Sequence, residues 1–164
     1  MSKDAPSRHL PKDVLAAIGD VIVHWSHLET LMDVAIYSML SVRPGKGAWV
    51  TAALRLNARL DVLRSVGGNF FKDKPDLLKA FNTHVTEISN CYIDRNSIDH
   101  AIWWHFGPDE TPSVRVRVTA KAIAPPDVKP MTAGDILKIR DRIDKEFVEF
   151  DKFLVTYTPE PPSG

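Results

Sequence analysis

Four stretches of this chain repeat apolar residues at spacings of three and four, and a chain patterned that way must fold by burying helix faces against one another. In the first stretch Leu15, Ile18, Ile22, Trp25, Met32, Ile36 and Met39 form a stripe, with Glu29 at the slot where another apolar residue is due. Glu29 is therefore expected on the buried face. Arg43-Pro44-Gly45 breaks the pattern, and a second stripe runs through Trp49, Val50, Ala53, Leu54, Leu60, Leu63 and Val66 up to Gly67-Gly68. Pro75-Asp76 opens a third helix carrying Leu77, Leu78, Phe81, Val85, Ile88, Cys91, Ile98 and Ile102, with Arg95 inside the stripe. Thr132 and Asp135 form a capping-box pair for a last helix, whose seam is Ile136, Ile139, Ile143, Phe147, Phe150 and Leu154.

Between the last two helices the pattern changes period. Aromatic residues crowd 103–107, turn residues follow at 108–112, and 113–120 alternates valine with Arg115, Arg117 and Thr119. This predicts a β-hairpin within residues 102–122, with Pro125-Pro126 and Pro130 in the loop beyond it. The expected fold is all-α: a four-helix bundle with a small β-hairpin inserted between the third and fourth long helices.

With 164 residues and 44% hydrophobic content, one domain with a real core is expected over 11–155, with a flexible leader at 1–10 and a disordered tail at 156–164. Lys+Arg and Asp+Glu are both 21, so bulk charge gives no basis for nonspecific nucleic-acid binding and any such binding must be local. The single cysteine, Cys91, excludes an internal disulfide framework and reads as a small buried hydrophobe. No run approaches the roughly 20 apolar residues that span a bilayer, and the first residues lack a signal-peptide core. A cytoplasmic protein without a membrane partner is expected.

The chemistry-bearing residues are Arg95-Asn96 and His100. Histidine gives and takes protons near neutrality, and the planar guanidinium of arginine suits phosphate, so the pair fits phosphodiester chemistry without a metal or cofactor. On an ideal helix Arg95 and His100 lie about 140° apart, so a distorted helix or a second copy would be needed for both to meet one phosphate. Asn96 and His100 share a face, and Asp99 lies four residues after Arg95 at ion-pair spacing.

Arg95-Asn96 followed by His100, with Trp103 just beyond, resembles the R-x4–6-H motif of HEPN domains, the higher-eukaryote and prokaryote nucleotide-binding helical bundles. Trp25-Ser26-His27-Leu28-Glu29 is similar to the tryptophan-to-Leu-Glu opening of bacterial members. The resemblance spans 11–155 in element order. It implies a homodimer acting as a metal-independent endoribonuclease in a toxin–antitoxin or phage-defence setting, with an RNA substrate and an antitoxin protein as partner. It equally admits a noncatalytic dimeric interaction module, or one that only binds nucleotide or RNA.

Under the catalytic reading His100 transfers protons, Arg95 stabilises charge on the phosphoryl oxygens, and Asn96 orients the phosphate or the imidazole. Glu29 and Asp99 support them, Glu29 by positioning Arg95. The structural alternative has Arg95 as a buried cation satisfied by Glu29 and Asp99, because an unpaired buried charge is costly. Arg115, Arg117 and Trp103 are candidate RNA contacts, against edge-strand protection for the arginines and a plug at the bundle end for the tryptophan. His24 and His27 offer a metal reading, but no Glu-x-x-His pair accompanies them and no metal is expected.

Overall fold

The computed structural model describes residues 9–105, 113–117 and 127–159. It is mostly helical, with α1 (Lys12–Leu40), α2 (Pro44–Thr51), α3 (Leu56–Phe70), α4 (Pro75–Asp99), then β1 (Ile102–Trp104), β2 (Ser113–Arg117) and β3 (Asp127–Met131), and finally α5 (Ala133–Tyr157). The chain forms two compact units, one of Met1–Trp25 with Cys91–Ile143, the other of Ser26–Asn90 with Asp144–Gly164. Helices α1, α4 and α5 each contribute to both.

In the first unit the buried hydrophobic residues are Val14, Ala17, Val21 and Trp25 of α1, Cys91 and Ile98 of α4, and Met131, Ile136 and Ile143. The first two turns of α1 are thus rotated from the expected stripe: Leu15 is exposed, while Val14 and Ala17 face inward. The segment is apolar on nearly every side, and the smaller residues took the closer-packed face. Trp25 packs against Tyr92 with ring centroids 5.8 Å apart.

The second unit is organised by aromatic rings. Phe71 and Phe81 lie 5.5 Å apart, Phe71 and Phe153 5.7 Å, and Phe81 and Phe150 6.2 Å, within the range where offset and edge contacts add to area burial. Gly67 does not end a helix as expected. It lies inside α3, where a Cβ would overlap the Phe81 ring, so glycine is there to let that ring approach.

The single second helix expected from the sequence is two helices. Helix α1 ends with Ser41 in the left-handed region (φ 53°), and Val42 N–H bonds the Tyr37 carbonyl at 2.9 Å while Ser41 N–H bonds that of Ser38 at 3.1 Å, a Schellman closure. Pro44 then begins α2 rather than only ending its predecessor, because a proline at the first helical position gives up an N–H that has no intrahelical partner. Helix α2 stops at Thr51, whose carbonyl accepts from Arg59 Nη2 at 3.3 Å and whose hydroxyl meets Tyr37 OH at 2.5 Å.

The predicted hairpin is part of a three-stranded antiparallel sheet in the order β1-β2-β3. Pro130, expected in a loop, pairs with Val114 in β3. It is tolerated because β3 is an edge strand and one side of its backbone needs no ladder donor. The capping box forms as expected: Asp135 N–H donates to Thr132 Oγ1 at 3.2 Å, and Thr132 N–H returns to Asp135 Oδ2 at 3.1 Å. These bonds, with Lys138 at 2.9 Å, hold the Asp135 carboxyl below the usual carboxylate range. Residues 156–157, expected in a disordered tail, continue α5; 1–8, 106–112, 118–126 and 160–164, which include most of the expected leader, the expected turn at 108–112 and the end of the hairpin, lie outside the described residues. Among the described residues no helix is long and apolar enough to cross a membrane.

Candidate functional site

Helix α4 carries Arg95, Asn96 and Asp99 in its last two turns and stops one residue before His100. The stop is held locally. Trp103 Nε1–H turns back from β1 to the Ile98 carbonyl at 3.1 Å, supplying a donor to a helix end that otherwise lacks one. His100 N–H still reaches the Asn96 carbonyl at 3.3 Å, so His100 continues the helical path for one further step. Trp103 is thereby a helix-end fastener, half-buried, with its N–H committed to the backbone.

The side chains converge on one atom. Arg95 Nη1 is 2.8 Å from Asp99 Oδ2, and His100 Nε2 is 3.7 Å from the same oxygen. The angular separation expected between Arg95 and His100 is bridged by the length of the arginine side chain, which runs forward one turn to the carboxylate. Arg95 Nη1 also donates to Asn96 Oδ1 at 3.1 Å, so Asn96 holds the guanidinium. The Arg95 side chain is 20% exposed, whereas that of His100 is 67% exposed. The buried Arg95 Nε–H has no hydrogen-bond acceptor among the described residues.

Glu29, expected to position Arg95, has a different cation. Its Oε1 lies 3.8 Å from Arg59 Nη1, and Asp33 Oδ1 lies 3.3 Å from Arg59 Nε. Arg59 thus collects two α1 carboxylates and the end of α2. Burial pushes the Asp33 carboxyl above its ordinary range, opposed by the attraction of Arg59 and a hydrogen bond from Thr51. The carboxylate that serves Arg95 is Asp99.

Arg115 and Arg117 lie on β2, the central strand, so edge protection is not their role. Arg115 is in register with Trp103 and Lys129, and Arg117 with Asp127. Their side chains lie outside the described set.

Sequence reasoning passed over a second pair of titratable groups. His84 Nδ1 and Glu146 Oε1 lie 2.8 Å apart at an open cleft of about 810 Å³, and Glu146 is buried. Burial pushes the Glu146 carboxyl up; hydrogen bonding and attraction from His84 oppose this, and Glu87 and Glu149 add to it. The signal was present: Glu146 occupies the inward slot between Ile143 and Phe150 in the α5 seam. His24, by contrast, bonds the Asp20 carbonyl through Nδ1 at 2.9 Å, and His27 lies against Phe147. Among the described residues no group of three His, Cys, Asp or Glu side chains is placed to hold a metal ion.

Comparison of the chain with protein-family models, with curated proteins and with solved structures gives no match.

Proposed function

We propose that this chain is a metal-independent endoribonuclease of the HEPN type, cutting RNA at the Arg95, Asn96 and His100 cluster. The observation that supports this is the approach of Arg95 and His100 to the single oxygen Asp99 Oδ2. A carboxylate oxygen that meets a guanidinium and an imidazole stands in for a phosphoryl oxygen bound by the same two groups.

In the proposed reaction His100 takes the proton of the ribose 2′-hydroxyl or delivers one to the leaving 5′-oxygen. The 2′-oxygen bonds to phosphorus, the bond to the 5′-oxygen breaks, and the products are a 2′,3′-cyclic phosphate and a 5′-hydroxyl. Arg95 stabilises the charge that builds on the phosphoryl oxygens, and Asn96 keeps the guanidinium in place. The long helices α1, α3, α4 and α5 are assigned to a HEPN-like four-helix bundle, working as a cytoplasmic homodimer in a toxin–antitoxin or phage-defence setting with an antitoxin protein as restraint.

The test is purified protein on a mixed RNA pool in the presence of chelator. Cleavage is expected to persist and to leave 2′,3′-cyclic ends, and His100→Ala is expected to lower it by about 10²–10⁴-fold. Equal, slow degradation by both proteins would overturn the proposal. One observation favours the noncatalytic dimeric module instead: Asp99 at 2.8 Å already compensates the Arg95 charge without a substrate. Sedimentation at micromolar concentration tests the dimer common to both readings.

A further inference from the structure

Beside the motif, α4 forms one wall of a cleft of about 530 Å³, with β3 and the first turns of α5 as the others. Ile93 and Ser97 line it from α4. His100 follows Ser97 by three residues, as Ser97 follows Ile93 by four, so all three belong to one helical face. The cleft therefore lies against the α4 face that His100 follows. Its volume falls within the roughly 300–1,000 Å³ of small-ligand sites, enough for one nucleotide.

The lining has two chemical halves. Ile93, Met131 and Ile139 supply apolar surface, and Ile93 is an exposed isoleucine on a helix whose other aliphatic positions are mostly covered. Lys129 and Lys138 supply positive charge. The two carboxylates in the lining are already engaged, Asp94 with Arg142 Nη1 at 2.6 Å and Asp135 with Lys138 Nζ at 2.9 Å. Lys129 has no such counter-charge among the described residues. An apolar wall beside an ammonium with no counter-charge among the described residues matches a base joined to a phosphate.

We propose that the cleft between α4, β3 and α5 is a nucleotide subsite, holding the RNA nucleotide next to the phosphate at His100, with Lys129 contacting that nucleotide's own phosphate. This rests on the ribonuclease reading of the Arg95 and His100 cluster and adds the binding of a neighbouring nucleotide to it. Lys138, bonded through one of its three donors to Asp135, lines the cleft from α5 and strengthens the field.

The experiment measures binding of a fluorescent 2′-O-methyl oligoribonucleotide, which lacks the attacking hydroxyl, across a series of salt concentrations, and cleavage of the matching RNA in parallel. Lys129→Glu is expected to weaken binding about tenfold and to lower the salt slope by roughly 0.7, one single-strand phosphate contact. Lys129→Gln is expected to show a smaller loss in the same direction, and a reversal at exposed Lys72, outside the cleft, should change neither quantity. Circular dichroism of each variant establishes that it is folded. If wild type cleaves RNA and folded Lys129→Glu and Lys129→Gln bind and cleave as well as wild type, the subsite is overturned and the ribonuclease reading stands. If wild type binds through Lys129 without cleaving, the subsite stands as an RNA-binding cleft and the ribonuclease reading falls. Absence of wild-type binding overturns the subsite outright.

Discussion

Asp99 holds the guanidinium of Arg95 at 2.8 Å from one turn further along the same helix. The pair is local, at a spacing that helices favour, and it leaves the carboxylate where an incoming phosphate must compete with it. Substrate binding at Arg95 therefore includes displacing Asp99. Asp99→Asn is expected to lower KM for RNA several-fold while kcat stays within an order of magnitude. Arg95→Lys is expected to lose cleavage, since an ammonium cannot reproduce the guanidinium fork. Steady-state kinetics decide: a drop in kcat beyond about 10²-fold in Asp99→Asn would make Asp99 the group that orients the imidazole.

Arg59 gathers Glu29, Asp33 and the Thr51 carbonyl, so its loss leaves three partners behind. Arg59→Met is expected to cost about 1–3 kcal/mol of stability, the range for stranding buried polar groups. Glu29→Gln, at the weaker and more exposed contact, is expected to cost less than about 1 kcal/mol. Thermal unfolding of the two variants tests the ranking, and equal losses would contradict it.

Two backbone positions make opposite predictions. Ser41 occupies a left-handed conformation that costs a non-glycine residue about 1–2 kcal/mol, so Ser41→Gly is expected to raise the melting temperature. Gly67→Ala drives a methyl into the Phe81 ring and is expected to destabilise by about 1–3 kcal/mol, the usual cost of overpacking. Denaturant melts of both read the sign directly.

Burial raises the Glu146 carboxyl despite His84, so the folded state binds its proton more tightly than the unfolded chain does. The stability contributed by that proton is fully present below the ordinary glutamate range and is lost as pH rises through the raised value. Glu146→Gln, which has no charge to bury, is therefore expected to melt above wild type at pH 8, with the gap closing toward pH 4. A wild type that is the more stable protein at pH 8 would mean that the ion pair with His84 outweighs desolvation.

Local signals in the sequence translated well into structure. The Thr132 and Asp135 box and the Arg95-to-Asp99 spacing depend on residues within a turn of one another and formed, as did the α5 seam at Ile136, Ile143, Phe150 and Leu154, where Glu146 rather than Phe147 takes the inward slot. Nonlocal choices did not show. Glu29 was matched with Arg95 in sequence terms, and only folding brings Arg59 within reach of it. The break between α2 and α3 has neither glycine nor proline at 52–55; Thr51 at its start is held by Tyr37 of α1 and by Arg59 from the first turn of α3. In α1 the choice between Leu15 and Val14 as the inward residue depends on what packs against them, which periodicity within a uniformly apolar segment does not encode.

Pro130 has a consequence for how copies of this chain can meet. Strand β3 is an outer strand and carries Val128 exposed, the kind of border on which foreign strands nucleate. A backbone with no N–H at Pro130 gives β3 one ladder donor fewer than a strand of its length would otherwise carry. A strand that cannot complete its set of donors is a poorer template for a second molecule, so the proline lowers the capacity of this border to propagate the sheet.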